Sequence, residues 1–184
     1  MKNVLPLAEL RLAKLSISLI TFHFSLFTFL VFIIGSPVLG VDADITRQTI
    51  RGLGGVSVIV EEIQPNIQRY AQKAGITKEQ IQKDVEAKLK SNGIKVLTRD
   101  EWLKTLGRPV LYVNINTHET EKYWYAYNVV LELKQVVSLE ANPSIKTLAS
   151  TWSINMTGMA NIGTLGIIKT SVDDLVGRFV NACK

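Results

Sequence analysis

The residues of this 184-residue sequence whose types and spacing favour a binding site are aromatic. Aromatic side chains that converge at a surface bind sugars, peptides or protein partners, because each combines a large apolar area with a polar tip. The alternative is that they fill the core and the end of a sheet, with their polar tips in water. We treat five of them as candidate ligand- or partner-binding residues: Tyr112, Tyr123, Trp124, Tyr125 and Tyr127.

Catalysis by paired carboxylates would need two acids that converge across a cleft and lie in different environments. The sequence instead places its most conspicuous acids side by side, where the two members of a pair point apart on a strand or a helix. The pairs are Glu61-Glu62, Asp100-Glu101 and Asp173-Asp174. We interpret them as solvated side chains and helix-end charges, and we predict no catalytic residue among them.

Histidine and cysteine are too few for most metal and nucleophile chemistry. The chain has 2 His and 1 Cys, and His23 lies in an apolar N-terminal run, which leaves His118. These counts argue against a multi-His metal site, and Cys183 alone cannot form a disulfide within the chain. The sequence therefore predicts a protein that is not an enzyme and that has no metal or other cofactor. A hydrolase that uses His118 with an acid is the third hypothesis, after the two binding functions given below.

The formal net charge of +5 is scattered along the chain. A nucleic-acid site would need the bases to be concentrated in one patch or along one helix face. No Arg cluster and no basic helix face interleaved with aromatic residues occurs in the sequence. We therefore predict no nucleic-acid partner.

The N-terminus has the pattern of an export segment. Residues 1–14 carry three bases, Lys2, Arg11 and Lys14, and residues 15–34 form an apolar run without a formal charge. Small residues and a proline follow, so cleavage is expected after Gly40 or, alternatively, after Ala43. The run is also long enough to span a bilayer, which leaves an uncleaved anchor open.

Both interpretations of the N-terminus place the rest of the chain outside the cytoplasm, because the positive flank stays inside. The protein is then periplasmic, or it is anchored in the inner membrane with membrane contact only through residues 15–34. We predict three segments: residues 1–40 as a signal peptide or signal anchor, 41–55 as a flexible linker and 56–184 as a single domain.

Hydrophobic periodicity predicts that this domain is α+β. Its order is β-α-β-(short α)-β-β-β-α, preceded by the apolar N-terminal helix. Three consecutive hairpin-type strands, together with helices that each carry one apolar stripe, predict a mainly antiparallel sheet with two main helices packed on one face. The strands are expected over residues 56–63, 94–97, 109–117, 122–140 and 147–156, and the main helices over 78–91 and 165–182.

The longest predicted strand, residues 122–140, is too long to be one flat strand. At ~3.3 Å per residue it would span about 60 Å, whereas a domain of this size is about 40 Å across. We therefore expect either a bend at a bulge or an end that projects. The candidate break points are Gln135 and residues 125–128. A projecting hairpin with Tyr123, Trp124 and Tyr125 would be the first surface to test for a partner.

A resemblance to known families rests on residues 84–100, DVEAKLKSNGIKVLTRD, a helix pattern that ends at Asn-Gly and passes directly to a strand and a Thr-Arg-Asp turn. With the strands PVLYVNIN and YAYNVVLELKQVVSL that follow, this layout resembles uncharacterised exported bacterial proteins. It is also similar to small α/β modules of cell-envelope assembly proteins, such as the N-terminal domain of TolB and curli-secretion lipoproteins. The resemblance implies an envelope location and a non-catalytic role, and it transfers no site residue.

These features predict an exported, non-enzymatic envelope protein that binds another envelope protein. The first alternative is a small-ligand or glycan-binding module that uses the aromatic residues. The sequence leaves the partner, the ligand and the oligomeric state open.

Overall fold

Four strands form one sheet in the computed structural model, which describes residues 42–184. The strands are β1 (Ser57–Val60), β2 (Val110–Glu121), β3 (Trp124–Leu139) and β4 (Asn142–Asn161). They lie side by side in chain order; β1 and β2 are parallel, whereas the β2–β3 and β3–β4 pairs are antiparallel. The predicted signal or anchor helix lies outside the described residues. Within them, no helix combines the length and the apolarity that a membrane span requires.

The described residues also form helices, two of which begin at threonine caps. The helices are α1 (Asp44–Arg47), α2 (Pro65–Lys73), α3 (Lys78–Ser91), α4 (Arg99–Lys104) and α5 (Ile167–Ala182). At the start of α3 the Thr77 hydroxyl accepts a hydrogen bond from the Gln80 amide at 3.2 Å, while the Gln80 side chain donates to Asp84 at 2.7 Å. At α4 the reciprocal capping box between Thr98 and Glu101 is complete.

One side of the sheet carries the core. On β2 the alternate residues Leu111, Val113 and Ile115 are buried, and the same alternation continues along β3. Helix α3 packs against β1 and against α5, and α5 packs against β3 and β4. The opposite side of the sheet is open, with Asn116 and Asn155 exposed on it. The predicted α+β class is confirmed.

The finer predictions of strand order need correction. Residues 94–97 do not form a strand: a single parallel bridge joins Val96 to Val56, in the short connection between the turn at Gly93 and the Thr98 cap of α4. Strand β1 pairs with β2 in parallel, and the sheet is mixed. The predicted order also lacks α2, which begins at Pro65. Proline suits the first position of a helix because no partner is needed there for its missing N–H.

Both hairpin turns lie elsewhere than predicted. The connection expected at residues 118–121 belongs to β2, and the chain turns at Lys122 and Tyr123, where Tyr123 has a φ of 70°. The turn expected at residues 142–144 belongs to β4, and the chain turns at Glu140 and Ala141 instead. Each hairpin is therefore longer than the sequence suggests.

The long strand β3 changes register next to Gln135. Between Leu133 and Lys134 the β4 partner moves from Trp152 to Ser150, so Thr151 is an extra residue in β4. The Gln135 amide donates to Thr151 Oγ1 at 3.0 Å, which fixes the bulge. Residues 125–128, the other candidate break point, stay in continuous register with both neighbouring strands.

Residues 42–55, which the sequence predicts to be a flexible linker, are folded onto the domain. The Asp42 carboxylate accepts a hydrogen bond from the Trp152 indole at 2.8 Å and forms ion pairs with Arg47 at 2.8 Å and Arg178 at 3.5 Å. Ile50 is buried in the core. The difference arises because one carboxylate in this segment satisfies the indole N–H of a buried tryptophan and two guanidinium groups at once.

We predict that Asp42 makes stability sensitive to acid. The hydrogen bond from Arg47, aided by that from Trp152, lowers the pKa of Asp42 from 3.8 to about 2. The carboxylate therefore stabilises the fold above the unfolded pKa, and this contribution is lost as the pH falls through the folded pKa. At pH 7, Asp42→Asn should lower the free energy of unfolding by up to about 2 kcal/mol. Urea denaturation between pH 7 and pH 2 measures this.

The matched control for Asp42 is Asp44→Asn, since Asp44 is exposed in the same segment. It should leave both the stability and its acid dependence close to those of the unmodified chain. An Asp42→Asn variant with an unchanged pH profile would contradict the assignment.

We also predict that Gly158→Ala is destabilising. Gly158 lies beneath the Tyr127 ring, and a Cβ added there would be 2.5 Å from the Tyr127 hydroxyl oxygen. The ring would have to move away from its hydrogen bond with Ser171, which is 3.1 Å long. We expect a loss of about 1–3 kcal/mol in the free energy of unfolding, as for overpacking in a core. Gly54→Ala, where the added Cβ meets nothing within 4 Å, should have little effect.

Candidate functional site

Two of the five candidate aromatic residues belong to the core. Tyr125 and Tyr127 are 1% and 4% exposed and lie on the side of β3 that the helices cover. The Tyr127 hydroxyl pairs with Ser171, and the Tyr125 hydroxyl donates to the Asn66 carbonyl oxygen at 3.4 Å. In this conformation neither side chain can contact a ligand or a partner.

Two other candidates form a small exposed pair at the β2–β3 turn. Tyr123 is 42% exposed and Trp124 is 44% exposed. The Tyr123 ring meets Tyr70 edge to face at 6.2 Å, and Lys122 Nζ lies 5.2 Å from the centre of the same ring. Tyr123 is thus partly engaged within the chain, and Trp124 offers the freer surface.

The fifth candidate, Tyr112, lies on the open side of the sheet and is held by charged neighbours. Its hydroxyl donates to Glu61, and Lys134 Nζ lies 3.5 Å from the centre of its ring. Burial, together with the hydrogen bond to Glu61, raises the pKa of Tyr112 to about 12. The structure therefore divides the five residues among the core, the β2–β3 turn and the open side of the sheet, and it does not bring them into one cluster.

A different surface exposes more apolar side chains. We call the part of the β3–β4 hairpin beyond the Thr151 bulge, residues 136–148, the hairpin arm. Residues 138–148 of the arm are exposed without interruption, including Leu139, Ile145 and Leu148. This exposed stretch lies at the opposite end of β3 from Tyr123 and Trp124, where the projecting hairpin was predicted.

The α4–β2 connection faces the hairpin arm across a groove of about 670 Å³. Leu106 is 98% exposed on this connection, and Leu103 of α4 is also exposed. The connection is well ordered by hydrogen bonds: the Val136 amide donates to the Gly107 carbonyl oxygen at 2.7 Å, and the Trp102 indole donates to the Arg108 carbonyl oxygen at 2.8 Å. Leu106 is thus presented to solvent by a fixed backbone.

The charges around this groove have one sign. Lys104, Arg108 and Lys146 line it, and none of its lining residues in the described chain is acidic. Apolar side chains lie between these bases, from Leu106 on one wall to Leu148 on the other. The groove therefore suits an apolar segment that is flanked by acidic residues, because both the burial and the charges would then be complementary.

One backbone edge is also open at the groove. Strand β2 begins at Val110, which pairs with Lys134, so the end of β3 beyond Val136 has no β2 residue beside it. On this edge the Val136 amide donates to the Gly107 carbonyl oxygen. Because backbone groups alternate along a strand, the N–H and C=O groups of Ser138 point to the same edge. Because β3 ends at Leu139, an extended peptide here could pair with the backbone groups of Ser138, in line with β2.

The bulge explains why the sequence did not reveal this surface. Over the predicted strand 147–156, strict alternation would place Leu148 on the same face as Trp152 and Ile154, which are buried. The extra residue Thr151 reverses the alternation, so Leu148 lies opposite Val136 on the other side of the hairpin. A one-residue insertion in an edge strand has no reliable signal in the hydrophobic pattern.

A second cleft, of about 330 Å³, lies between α3 and α5. Its rim is closed by two ion pairs, Lys169–Asp84 at 3.0 Å and Lys88–Asp173 at 2.7 Å. Among the described residues, no three His, Cys, Asp or Glu side chains are grouped so that they could hold a metal ion. His118 is exposed on the open side of the sheet, opposite Ala126.

Comparison with known proteins leaves the function to be argued from this geometry. No protein-family model, curated protein or solved structure matches the chain. The resemblance to envelope assembly modules stays a prediction.

We predict that the exposed Leu106 side chain contributes little to the stability of the fold. Leu106→Ser should change the free energy of unfolding by less than about 0.5 kcal/mol, because the side chain is already in water. The same change at the buried Leu131 should cost about 3–5 kcal/mol through the cavity and the buried hydroxyl. Denaturation curves of the two variants measure the difference. A large loss at Leu106→Ser would show that this side chain packs against the fold.

Proposed function

We propose that the protein is an exported, non-enzymatic envelope protein whose domain binds another envelope protein through the groove beside the hairpin arm. The observation that carries the proposal is Leu106, which is 98% exposed on a hydrogen-bonded connection. Exposed apolar side chains grouped around a groove are typical of interaction sites, since each gains from burial only when a partner covers it.

The partner's chemistry follows from the groove. Its apolar walls favour a partner segment with aliphatic or aromatic side chains, and the bases Lys104, Arg108 and Lys146 favour acids on either side of that segment. The free edge of β3 beyond Val136 favours an extended conformation for the bound segment. We therefore infer that the partner contributes an extended apolar segment that is flanked by acidic residues.

The export half of the proposal rests on the N-terminal sequence. Three bases precede the apolar run of residues 15–34, which is the order found in signal peptides and signal anchors. A partner-binding domain behind such a segment would meet its partner in the envelope.

The alternative, a small-ligand or glycan-binding module, is now limited to Tyr123 and Trp124. These two residues are exposed next to each other at the β2–β3 turn, whereas Tyr125 and Tyr127 are buried. For a hydrolase the geometry offers no comparable support, since the exposed His118 lies opposite Ala126 in the ladder.

Photocrosslinking tests the proposed site. A photoreactive amino acid placed at Leu106 or at Leu148 in the full chain, expressed in its native envelope, should give one protein adduct of defined mass. The adduct should disappear when Leu103→Asp is added to the same chain, because the new carboxylate would replace an apolar contact and would face the acids that flank the partner segment. Mass spectrometry identifies the crosslinked segment, which should be apolar and flanked by acids.

Two further positions serve as controls for the crosslinking. Lys83 is exposed on α3, away from the groove, and should give no adduct. An adduct only at Trp124 would favour the β2–β3 turn as the binding site. Adducts at Leu106 that persist with Leu103→Asp, or that equal those at Lys83, would contradict the proposal.

A further inference from the structure

The outer edge of β4 is a long strand edge with little to protect it. β4 is the last strand of the sheet and has 20 residues, of which only Lys146 is charged. Soluble proteins usually protect such edges with charges, prolines or covering segments, because free backbone groups pair readily with another strand. Here the half of β4 after the Thr151 bulge has no charged side chain at all.

The hydrogen bonds of β3 show which backbone groups of β4 face outward. The Val136 amide donates to Gly107, on the side of β3 that faces β2. The backbone N–H and C=O groups of the even-numbered residues of β3 therefore point to β2, and those of the odd-numbered residues point to β4. Opposite these odd-numbered residues lie Trp152, Ile154, Met156, Gly158 and Ala160. The backbone N–H and C=O groups of these five residues therefore point back to β3. The outward N–H and C=O groups belong to the residues between them: Ser153, Asn155, Thr157 and Met159.

The free part of this edge has defined limits. At one end the Thr49 hydroxyl donates to the Thr151 carbonyl oxygen at 3.3 Å, so the segment after α1 covers the edge there. At the other end the strand finishes at Asn161, and the chain turns toward α5. The free edge thus runs from Trp152 to Ala160, and its midpoint is Met156.

We propose that a second copy of this chain pairs with this edge, antiparallel, about a two-fold axis at Met156. Each copy then covers the whole free edge of the other, and the four strands of each copy join in one eight-stranded sheet. Asn155 lies opposite Thr157 of the second copy, and Ser153 lies opposite Met159. In an antiparallel ladder, hydrogen bonds form between opposite residues whose backbone groups both point to the partner strand. In this register the opposite residues Asn155 and Thr157, and Ser153 and Met159, all have outward-facing backbone groups.

The chemistry of the paired residues supports self-association. The Asn–Thr pair that the register creates twice already exists inside the sheet, where the Asn128 amide donates to Thr157 Oγ1 at 2.8 Å. From Trp152 to Ala160 no charge would face a like charge. A heterologous strand would need its own match to this length and side-chain order, whereas a second copy has it by symmetry.

The ends of the edge add apolar contact. Exposed Ile45 lies in α1, near the covered end at Thr151, while exposed Ile162 and Ile167 follow the other end at Asn161. In the proposed register Thr151 lies opposite Asn161 of the second copy. The exposed isoleucines therefore lie in the segments that adjoin the two ends of the paired strands.

A cysteine placed on the axis tests the register directly. At Met156 the two chains would form a non-hydrogen-bonded pair with Cα atoms about 4.5 Å apart, within the range that a disulfide spans. In the full chain with Cys183→Ser, Met156→Cys should therefore give a disulfide-linked dimer on mild oxidation. Non-reducing electrophoresis and the mass of the product measure it.

Met159→Cys in the same background is the matched control. Met159 is more exposed than Met156, but in this register it is six residues, roughly 20 Å, from its counterpart. It should give no dimer. Crosslinking at Met159→Cys that equals or exceeds that at Met156→Cys would indicate random collision or another register and would overturn the proposal. A disulfide to a different protein at Met156→Cys would likewise overturn it.

Charge substitutions keep the proposal testable without cysteine chemistry. Asn155→Lys with Thr157→Lys places bases opposite bases and should weaken dimerisation at least about tenfold, as charged side chains do at strand edges. Asn155→Lys with Thr157→Glu places opposite charges across the axis and should restore the dimer. Sedimentation of the full chain in detergent measures both. A chain that is monomeric without substitutions, or dimers unaffected by both, would contradict the two-fold pairing.

Adducts at Leu106 are unaffected by either result, so this inference and the proposed function fail separately.

Discussion

The helices cover the β3–β4 hairpin over only part of its length. α5 has 16 residues, which at 1.5 Å each extend for ~24 Å, whereas the 16 residues of β3 extend for ~53 Å. The core is complete where α3 and α5 lie on the sheet, and the strands continue beyond it as the hairpin arm. Apolar side chains on the arm, such as Leu148, cannot be buried by this domain. The mismatch in length leaves the arm without covering helices, whereas the side of the arm on which Leu148 lies is set by the bulge.

The Thr151 bulge determines which side of the arm is apolar. One inserted residue in β4 reverses the alternation, so Leu148 joins Val136 on the side away from the helices. The bulge is fixed by Gln135, whose amide bonds to both Thr151 and the Thr49 carbonyl oxygen at 3.0 Å. The same contact holds the segment after α1 against the edge of β4. A single polar residue on the apolar face of β3 thus links the bulge, the arm and the covered end of the edge.

The sequence predicted the features that depend on local pattern. Hydrophobic periodicity predicted the long strand over residues 122–140, which is β3, and the main helix over 78–91, which is α3. The α+β class followed from these elements. What it missed depends on contacts between distant residues. Asp42 is ordered by Trp152, which is 110 positions away. The side on which Leu148 lies depends on the extra residue Thr151, and nothing in the local pattern marks Thr151 as extra.

The five candidate aromatic residues do not share one surface for a related reason. Period two alone cannot tell whether the aromatic face of a strand lies toward the helices or toward solvent. Tyr125 and Tyr127 share the face of Val129 and Leu131, so they are buried with them. Trp124, one position away, is exposed.

The two proposed surfaces use opposite edges of the same hairpin. The groove lies at the edge of β3 that faces β2, beyond Val136, whereas the second copy would occupy the outer edge of β4 between Trp152 and Ala160. β3 and β4 are paired with each other between these edges, so occupation of one does not cover the other. A two-fold pair would then carry two grooves related by symmetry. If the partner is itself repeated or held in the envelope, the second groove would bind at the high effective concentration set by the first. A groove with only modest affinity would then suffice for stable attachment, which is consistent with its small apolar surface.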